Sequence, residues 1–202
     1  MSLKKFLALG DSYTIGEGVQ PAQTWPFLLS QQLRNSGIEI ADPEIIATTG
    51  WRTDELKSAI TAKRLTSEYD LVSLLIGVNN QYQSKPLDHY ASDFEDLIAL
   101  TIHAGKGNPS SVMVLSIPDY GYTPFGAEKK EEITKGIEAF NRVNMMIAKA
   151  YGIRYIDITD ISRKAASEPD LLVADNLHPS GKMYQMWVDK IMEDKTILNA
   201  FS

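Results

Sequence analysis

Leu71-Val72-Ser73-Leu74-Leu75-Ile76-Gly77-Val78-Asn79-Asn80 decides the fold of this chain. Six residues run with one hydroxyl among them and no alternation of polar and apolar positions. That is the pattern of a strand covered on both faces, as happens when helices lie on either side of a parallel sheet. Gly77 closes the run and two amides follow, so the strand hands over to a polar segment at its carboxyl end.

The same grammar continues on either side. Residues 5–9 form a first apolar strand, and Trp25, Leu28, Leu29 and Leu33 then recur at helical spacing until Gly37 supplies a stop. Residues 40–48 read as a second strand, and 53–65 as a helix with Thr53 as its N-cap. Beyond the central strand, Tyr90, Phe94, Leu97, Ile98 and Thr101 mark one helix face, and residues 112–117 a fourth strand. Ile133, Ile137, Phe140, Ile147 and Tyr151 line a long helix that Gly152 ends. Residues 153–158 form a fifth strand, and Tyr184, Trp187, Val188 and Ile191 pattern a closing helix. The expectation is an α/β chain with a five-stranded parallel sheet between two helical layers, forming a single domain over residues 1–202 without repeats or linkers.

Composition removes several function classes. A formal charge of −6 is the wrong sign for a nucleic-acid binder, which needs a basic face to displace counterions from phosphate. The absence of cysteine excludes disulfides, thiolate metal sites and cysteine nucleophiles. The N-terminus faintly resembles a signal peptide, but its apolar run of residues 6–9 is too short and reads better as the first strand. No run is long enough to span a bilayer. A cytoplasmic location is expected, with export of a trimmed precursor left open, and oligomeric state is not legible.

In open parallel sheets ligands bind beyond the carboxyl ends of the strands. Those ends are Gly10-Asp11-Ser12, Thr49-Gly50-Trp51, Gly77-Val78-Asn79-Asn80 and Pro118-Asp119-Tyr120, all expected on one rim. Acyl transfer by a serine needs a hydroxyl, an imidazole to take its proton, and donors for the oxyanion. The three histidines make the search for a base short. His89 and His103 flank one helix and read as surface or helix-end residues. His178 lies in Asp175-Asn176-Leu177-His178-Pro179-Ser180, where a carboxylate three residues earlier can fix the imidazole tautomer. Asp157 and Asp160 are fallback partners, better placed for capping; Ser73 and Ser116 read as core hydroxyls, and Asp11 as a turn-builder. Gly16-Glu17-Gly18 has neither the Walker nor the dinucleotide spacing. No His/Asp/Glu cluster shows metal-ligand spacing, so neither metal nor cofactor is expected.

Four blocks in order, Gly10-Asp11-Ser12, Gly50 within Thr48-Thr49-Gly50-Trp51-Arg52-Thr53, Asn79 within Gly77-Val78-Asn79-Asn80, and Asp175-Asn176-Leu177-His178, resemble those of the GDSL, or SGNH, hydrolases. The resemblance spans residues 10–179. It implies a flavodoxin-like three-layer α/β/α fold and a serine esterase or acylhydrolase acting on a small-molecule ester. It further implies Ser12 as nucleophile, His178 as general base and Asp175 as its orienting partner. The implied oxyanion hole comprises the Ser12 and Gly50 backbone N–H groups and the Asn79 amide. Where the family's third block commonly ends in aspartate, this chain has Asn80, expected to change loop hydrogen bonding and pocket charge more than mechanism. Tyr13, Trp51, Asn80, Tyr120 and Phe125 are candidate pocket residues, with Tyr82 and Tyr122 also on the rim. Thioesterase and lysophospholipase activities fit the same site. A non-catalytic binding module is a further alternative, as is a flavin or phosphate binder, which lacks its phosphate loop here.

Overall fold

The computed structural model describes residues 3–201. Strands β1 (Phe6–Gly10), β2 (Glu44–Ala47), β3 (Leu71–Leu75), β4 (Val112–Leu115) and β5 (Arg154–Ile156) form one sheet in the order β2-β1-β3-β4-β5. Every pairing is parallel. Every residue of β1, β3 and β4 is buried, as the uninterrupted apolar reading of residues 71–76 requires.

Between the strands run α1 (Ser12–Ile15), α2 (Trp25–Asn35), α3 (Thr53–Lys63), α4 (Val78–Tyr82), α5 (Leu87–Ala104), α6 (Lys130–Ala150), α7 (Thr159–Arg163) and α8 (Gly181–Glu193). The chain steps from β1 outward to β2, then reverses past β1 to β3, β4 and β5. Parallel crossovers are right-handed, so this reversal places α2 on one face of the sheet and α3, α5 and α6 on the other. The packing agrees: α2 lies against α8, α3 against α5, and α5 against α6. Trp25 and Trp187, each fully buried, fill the first layer, with the Trp25 ring 6.3 Å from Phe6. Tyr90, 4.5 Å from Phe140 and 5.5 Å from Phe94, centres the second. Each aliphatic side chain buried in these layers contributes about 1.5–3 kcal/mol.

The register sets where the strands end. Gly10 is paired with Ala47 on one side and Leu75 on the other, so three strands stop at the same level. The reversal of strand order opens a crevice between β1 and β3 at that level. The segments leaving β1, β2 and β3 therefore meet on one rim.

Several element bounds differ from the sequence reading. The second strand is not residues 40–48 but Glu44–Ala47, because Pro43 has no N–H to give a ladder; Ile40 makes only a lone bridge with Lys4. The fifth strand shortens to Arg154–Ile156 because Asp157 turns its carboxylate to the Ser116 hydroxyl and the Thr159 N–H. Thr53 is not the N-cap of α3 but its first residue: Arg52 caps, and the Thr53 N–H is taken by Asn80 Oδ1 at 3.1 Å. Among the described residues no helix is long and apolar enough to cross a membrane.

Candidate active site

The turn after β1 is built by close approach. A Cβ on Gly10 would lie 2.4 Å from the Leu75 carbonyl oxygen and 2.2 Å from Thr14 Oγ1, so only glycine ends this strand. Asp11 then caps α1, its carboxylate accepting the Tyr13 N–H at 3.0 Å, and Gly16, at φ 83°, stops the helix after one turn. Ser12 is thus held at the start of a single helical turn. Asp11 itself is 1% exposed, and burial pushes its carboxyl up to about 7, against the opposing hydrogen bond from Tyr13.

Two further segments bring donors to the same place. Gly50 sits at φ 88° with nothing within 4 Å of where a Cβ would be, so glycine serves conformation there and not crowding. Among the described residues the Ser12 and Gly50 N–H groups donate to no protein acceptor. Asn79, on α4, donates one amide hydrogen to the Trp51 carbonyl at 3.0 Å, which ties the Gly50 segment to α4 and leaves the other hydrogen free.

The histidine is oriented by a tight local turn. Asp175 Oδ1 accepts the Leu177 and His178 N–H groups, each at 2.9 Å, while Oδ2 lies 2.6 Å from His178 Nδ1. Asn176, at φ 60°, lets the chain double back between them. Burial would raise the Asp175 carboxyl, but these hydrogen bonds outweigh it and hold the group below the usual carboxylate range. An ionised carboxylate only accepts, so it places the imidazole proton on Nδ1 and leaves Nε2 as an acceptor. The imidazole packs 5.5 Å from the Tyr13 ring, which rests on Trp187.

Ser12, Gly50, Asn79 and His178 line one cleft of about 200 Å3, with Thr49 beside them. The rest of its wall is apolar or aromatic: Tyr13, Val78, Tyr82, Tyr120, Phe125 and Leu177. Of the candidate pocket residues, Tyr13, Tyr120 and Phe125 face this space. Trp51 and Asn80 do not: Trp51 meets the site through its carbonyl, and Asn80 is 4% exposed and bonded to Thr53. Tyr122 also turns away, under the Lys130 ammonium at 3.8 Å. Val78 and Leu177 escaped the sequence reading, although each directly precedes a residue singled out for chemistry. His89 and His103 are exposed and lie outside the cleft, and Asp160 pairs with Arg163. Among the described residues no group of three His, Cys, Asp or Glu side chains could hold a metal ion.

A family model for the GDSL-like lipase/acylhydrolases matches residues 8–186. The chain belongs to that family. Membership places it among hydrolases that act on esters. Among curated proteins none matches the sequence. The fold of this family member is shared with several solved structures. That of TesA superposes with a TM-score of 0.75 at 18% identity, covering 98% of this chain and 99% of the other. The psychrotrophic esterase EstA from Pseudoalteromonas sp. gives 0.73 at 18% identity, over 97% and 99% of the two chains. Axe2, an acetylxylan esterase from Geobacillus stearothermophilus, gives 0.68 at 17% identity, over 96% and 95%.

In this GDSL family member residues 118–126 are anchored at several points. Asp119, fully buried, accepts the Gly121 N–H and the Thr134 hydroxyl and pairs with Arg163 at 3.1 Å. The Tyr120 hydroxyl donates to Gln81 Oε1 at 2.8 Å, and the Phe125 N–H donates to the Asn176 carbonyl at 3.4 Å. The aromatic side of the cleft is therefore bound both to α4 and to the loop that carries His178. Glu17, in the Gly16-Glu17-Gly18 segment, accepts the Thr49 hydroxyl and steadies the Gly50 segment from the opposite side.

Proposed function

We propose that this chain is a serine carboxylester hydrolase that carries its acyl group on Ser12. The observation behind the reading is the meeting of Ser12, Gly50, Asn79 and His178 in one cleft, with Asp175 bonded to the far nitrogen of the imidazole. In the proposed reaction Ser12 Oγ attacks the ester carbonyl carbon while His178 Nε2 takes the hydroxyl proton. The carbonyl oxygen gathers negative charge where the Ser12 and Gly50 N–H groups and the spare Asn79 amide hydrogen can meet it. A donor of this kind is worth about 2.7–4 kcal/mol of transition-state stabilisation. The C–O bond to the alcohol then breaks, and the imidazolium returns its proton to the departing oxygen. Water, deprotonated by the same Nε2, attacks the acyl carbon, and collapse frees the carboxylic acid and Ser12. Asp175 keeps Nδ1 protonated throughout and steadies the imidazolium. Against a binding-only role stands the completeness of the set, which a ligand-binding module would have no need to keep.

A fluorophosphonate probe should label Ser12, and Ser12→Ala should abolish turnover of a short-chain nitrophenyl ester in a protein that still unfolds cooperatively. Labelling at another residue, or undiminished activity in that variant, overturns the reading.

A further inference from the structure

The Gly16-Glu17-Gly18 segment has no phosphate-loop spacing and no part in the proposed reaction, yet it touches three parts of the site. It leaves the nucleophile turn directly: the Gly16 and Glu17 N–H groups both donate to the Ser12 carbonyl, at 3.0 and 3.1 Å. The Glu17 carboxylate accepts the Thr49 hydroxyl, one residue before Gly50. Gly18, at φ 80°, passes so close to the histidine loop that a Cβ on it would lie 2.7 Å from Val173 Cγ2. Val173 in turn donates its N–H to the His178 carbonyl at 2.9 Å.

The contact with Thr49 matters most, because the strand end it reaches has little else to hold it. Thr48, Thr49 and Gly50 are all exposed, and nothing beyond its own chain neighbours lies within 4 Å of where a Gly50 Cβ would stand. Packing therefore does not fix the peptide that joins Thr49 to Gly50, and that peptide carries the Gly50 N–H. Among the described residues the segment is held by the turn bond from the Trp51 N–H to the Thr48 carbonyl and by two side chains. Asn79 binds the Trp51 carbonyl downstream, and Glu17 binds Thr49 upstream. A hydrogen bond to a carboxylate is about twice as strong as one between neutral groups.

We propose that Glu17 is a positioning residue of this site. Its N–H grips the nucleophile turn and its carboxylate grips the Gly50 segment, so one residue sets the distance between the Ser12 and Gly50 N–H groups. The proposal rests on the reading of Ser12 as nucleophile and of these two N–H groups as oxyanion donors. The donors come from different strand ends, β1 and β2, and must converge on one oxygen to within about 0.5 Å. Glu17 itself takes no proton in the reaction and acts through Gly50. The left-handed glycines on either side of it let the chain reverse in the narrow space between the nucleophile turn and Val173.

The test measures kcat and KM on a short-chain nitrophenyl ester, and the rate of fluorophosphonate labelling, which draws on the same donors through the phosphoryl oxygen. Glu17 is exposed, so Glu17→Ala should unfold within a few degrees of wild type. It should lose kcat by about tenfold, less than the 10^2-fold or more expected when a donor is withdrawn outright, with KM changed by less than about twofold. Labelling should slow in parallel. Thr49→Val, which removes the hydroxyl at nearly constant volume, should do the same, and the double variant should lose no more than either alone. Glu17→Gln and Thr49→Ser keep an acceptor and a donor for the bond and should recover most of kcat. Wild-type kcat in Glu17→Ala overturns the proposal, as do losses that multiply in the double variant. A Glu17→Gln protein as slow as Glu17→Ala also overturns it, by tracing the effect to charge. With Ser12 labelled in the wild-type protein, any of these outcomes sinks the role of Glu17 alone. Labelling of another residue there sinks the Ser12 reading with it.

Discussion

Asn80 holds Thr53 with both ends of its amide: Oδ1 accepts the Thr53 N–H at 3.1 Å, and Nδ2 donates to Thr53 Oγ1 at 2.8 Å. Both residues are buried, and the pair joins α4 to the first turn of α3. The Thr53 hydroxyl donates in turn to Asp93 Oδ2, whose carboxylate pairs with Lys57. The segment from Gly50 to Arg52 is thereby clamped between two helices, one residue along from the Asn79 bond to Trp51.

Asn80→Ala should therefore cost about 1–3 kcal/mol, since it leaves a buried N–H without an acceptor. The check is a urea titration in which the midpoint falls at unchanged slope. Asn80→Asp keeps the acceptor for the Thr53 N–H but offers no N–H to Oγ1, and it adds a buried charge beside Asp93. That variant should be less stable than wild type at pH 8 and approach it on acidification, as the new carboxyl becomes neutral. A stability deficit independent of pH would contradict this account.

The Asp11 carboxyl leads to a second pH effect of known sign. Burial holds it up at about 7, whereas in the unfolded chain it ionises near the ordinary value of 3.8. Between those values the folded protein keeps a proton that the unfolded chain has lost, so stability falls as pH rises through that window. An asparagine at this position would accept the Tyr13 N–H equally well without titrating. The difference in unfolding free energy between wild type and Asp11→Asn should widen from pH 4 to pH 7 in favour of the variant, on the order of 2–4 kcal/mol. Denaturant titrations at pH 4.5, 6 and 7.5 would measure it, and a constant difference would refute it.

How much of the fold and the site is legible in the sequence depends on how local the cause is. The run at residues 71–76 shows its burial because a strand covered on both faces has no polar positions to alternate. Asp175 and His178 are legible as a pair because three residues of chain separate them and one turn joins them. The clamp from Asn80 to Thr53 spans 27 residues and two elements, and nothing near either residue announces it. Sequence position alone therefore puts Asn80 in the pocket, whereas the short helix α4 turns it inward and turns Asn79 and Tyr82 to the cleft. Trp51 misleads in another way, since its carbonyl and not its ring serves the site. Pro43 is visible in the sequence, and its missing N–H is reason enough for the shortened second strand.

Asp175 offers a test of orientation as distinct from folding. In Asp175→Asn the side-chain oxygen can still accept the Leu177 and His178 N–H groups, so the turn should survive. The amide nitrogen, however, would face His178 Nδ1 with a hydrogen, forcing the ring proton onto Nε2 where the base is needed. The expected result is a fall in kcat of roughly 10^3- to 10^4-fold with KM changed only a few fold. Thermal unfolding within a few degrees of wild type would show that the turn holds. A large fall in Tm would instead assign Asp175 a structural role.

Gly10 and Gly50 should respond oppositely to the same substitution. At Gly10 an alanine Cβ would meet the Leu75 carbonyl oxygen at 2.4 Å, backbone that cannot yield without opening the pairing of β1 with β3. Gly10→Ala should cost several kcal/mol and deplete soluble protein, since the clash falls at the centre of the sheet. At Gly50 the added Cβ meets nothing, and the cost is the left-handed φ of 88° alone, about 1–2 kcal/mol. Relief of that strain would rotate the Gly50 peptide and carry its N–H away from the cleft. Gly50→Ala should accordingly fold, lose about 1–2 kcal/mol in a urea titration, and lose kcat by about 10^2-fold or more, as expected when one such donor is withdrawn. A Gly50→Ala protein with wild-type kcat would remove this N–H from the proposed mechanism and leave Ser12 and Asn79 as its donors.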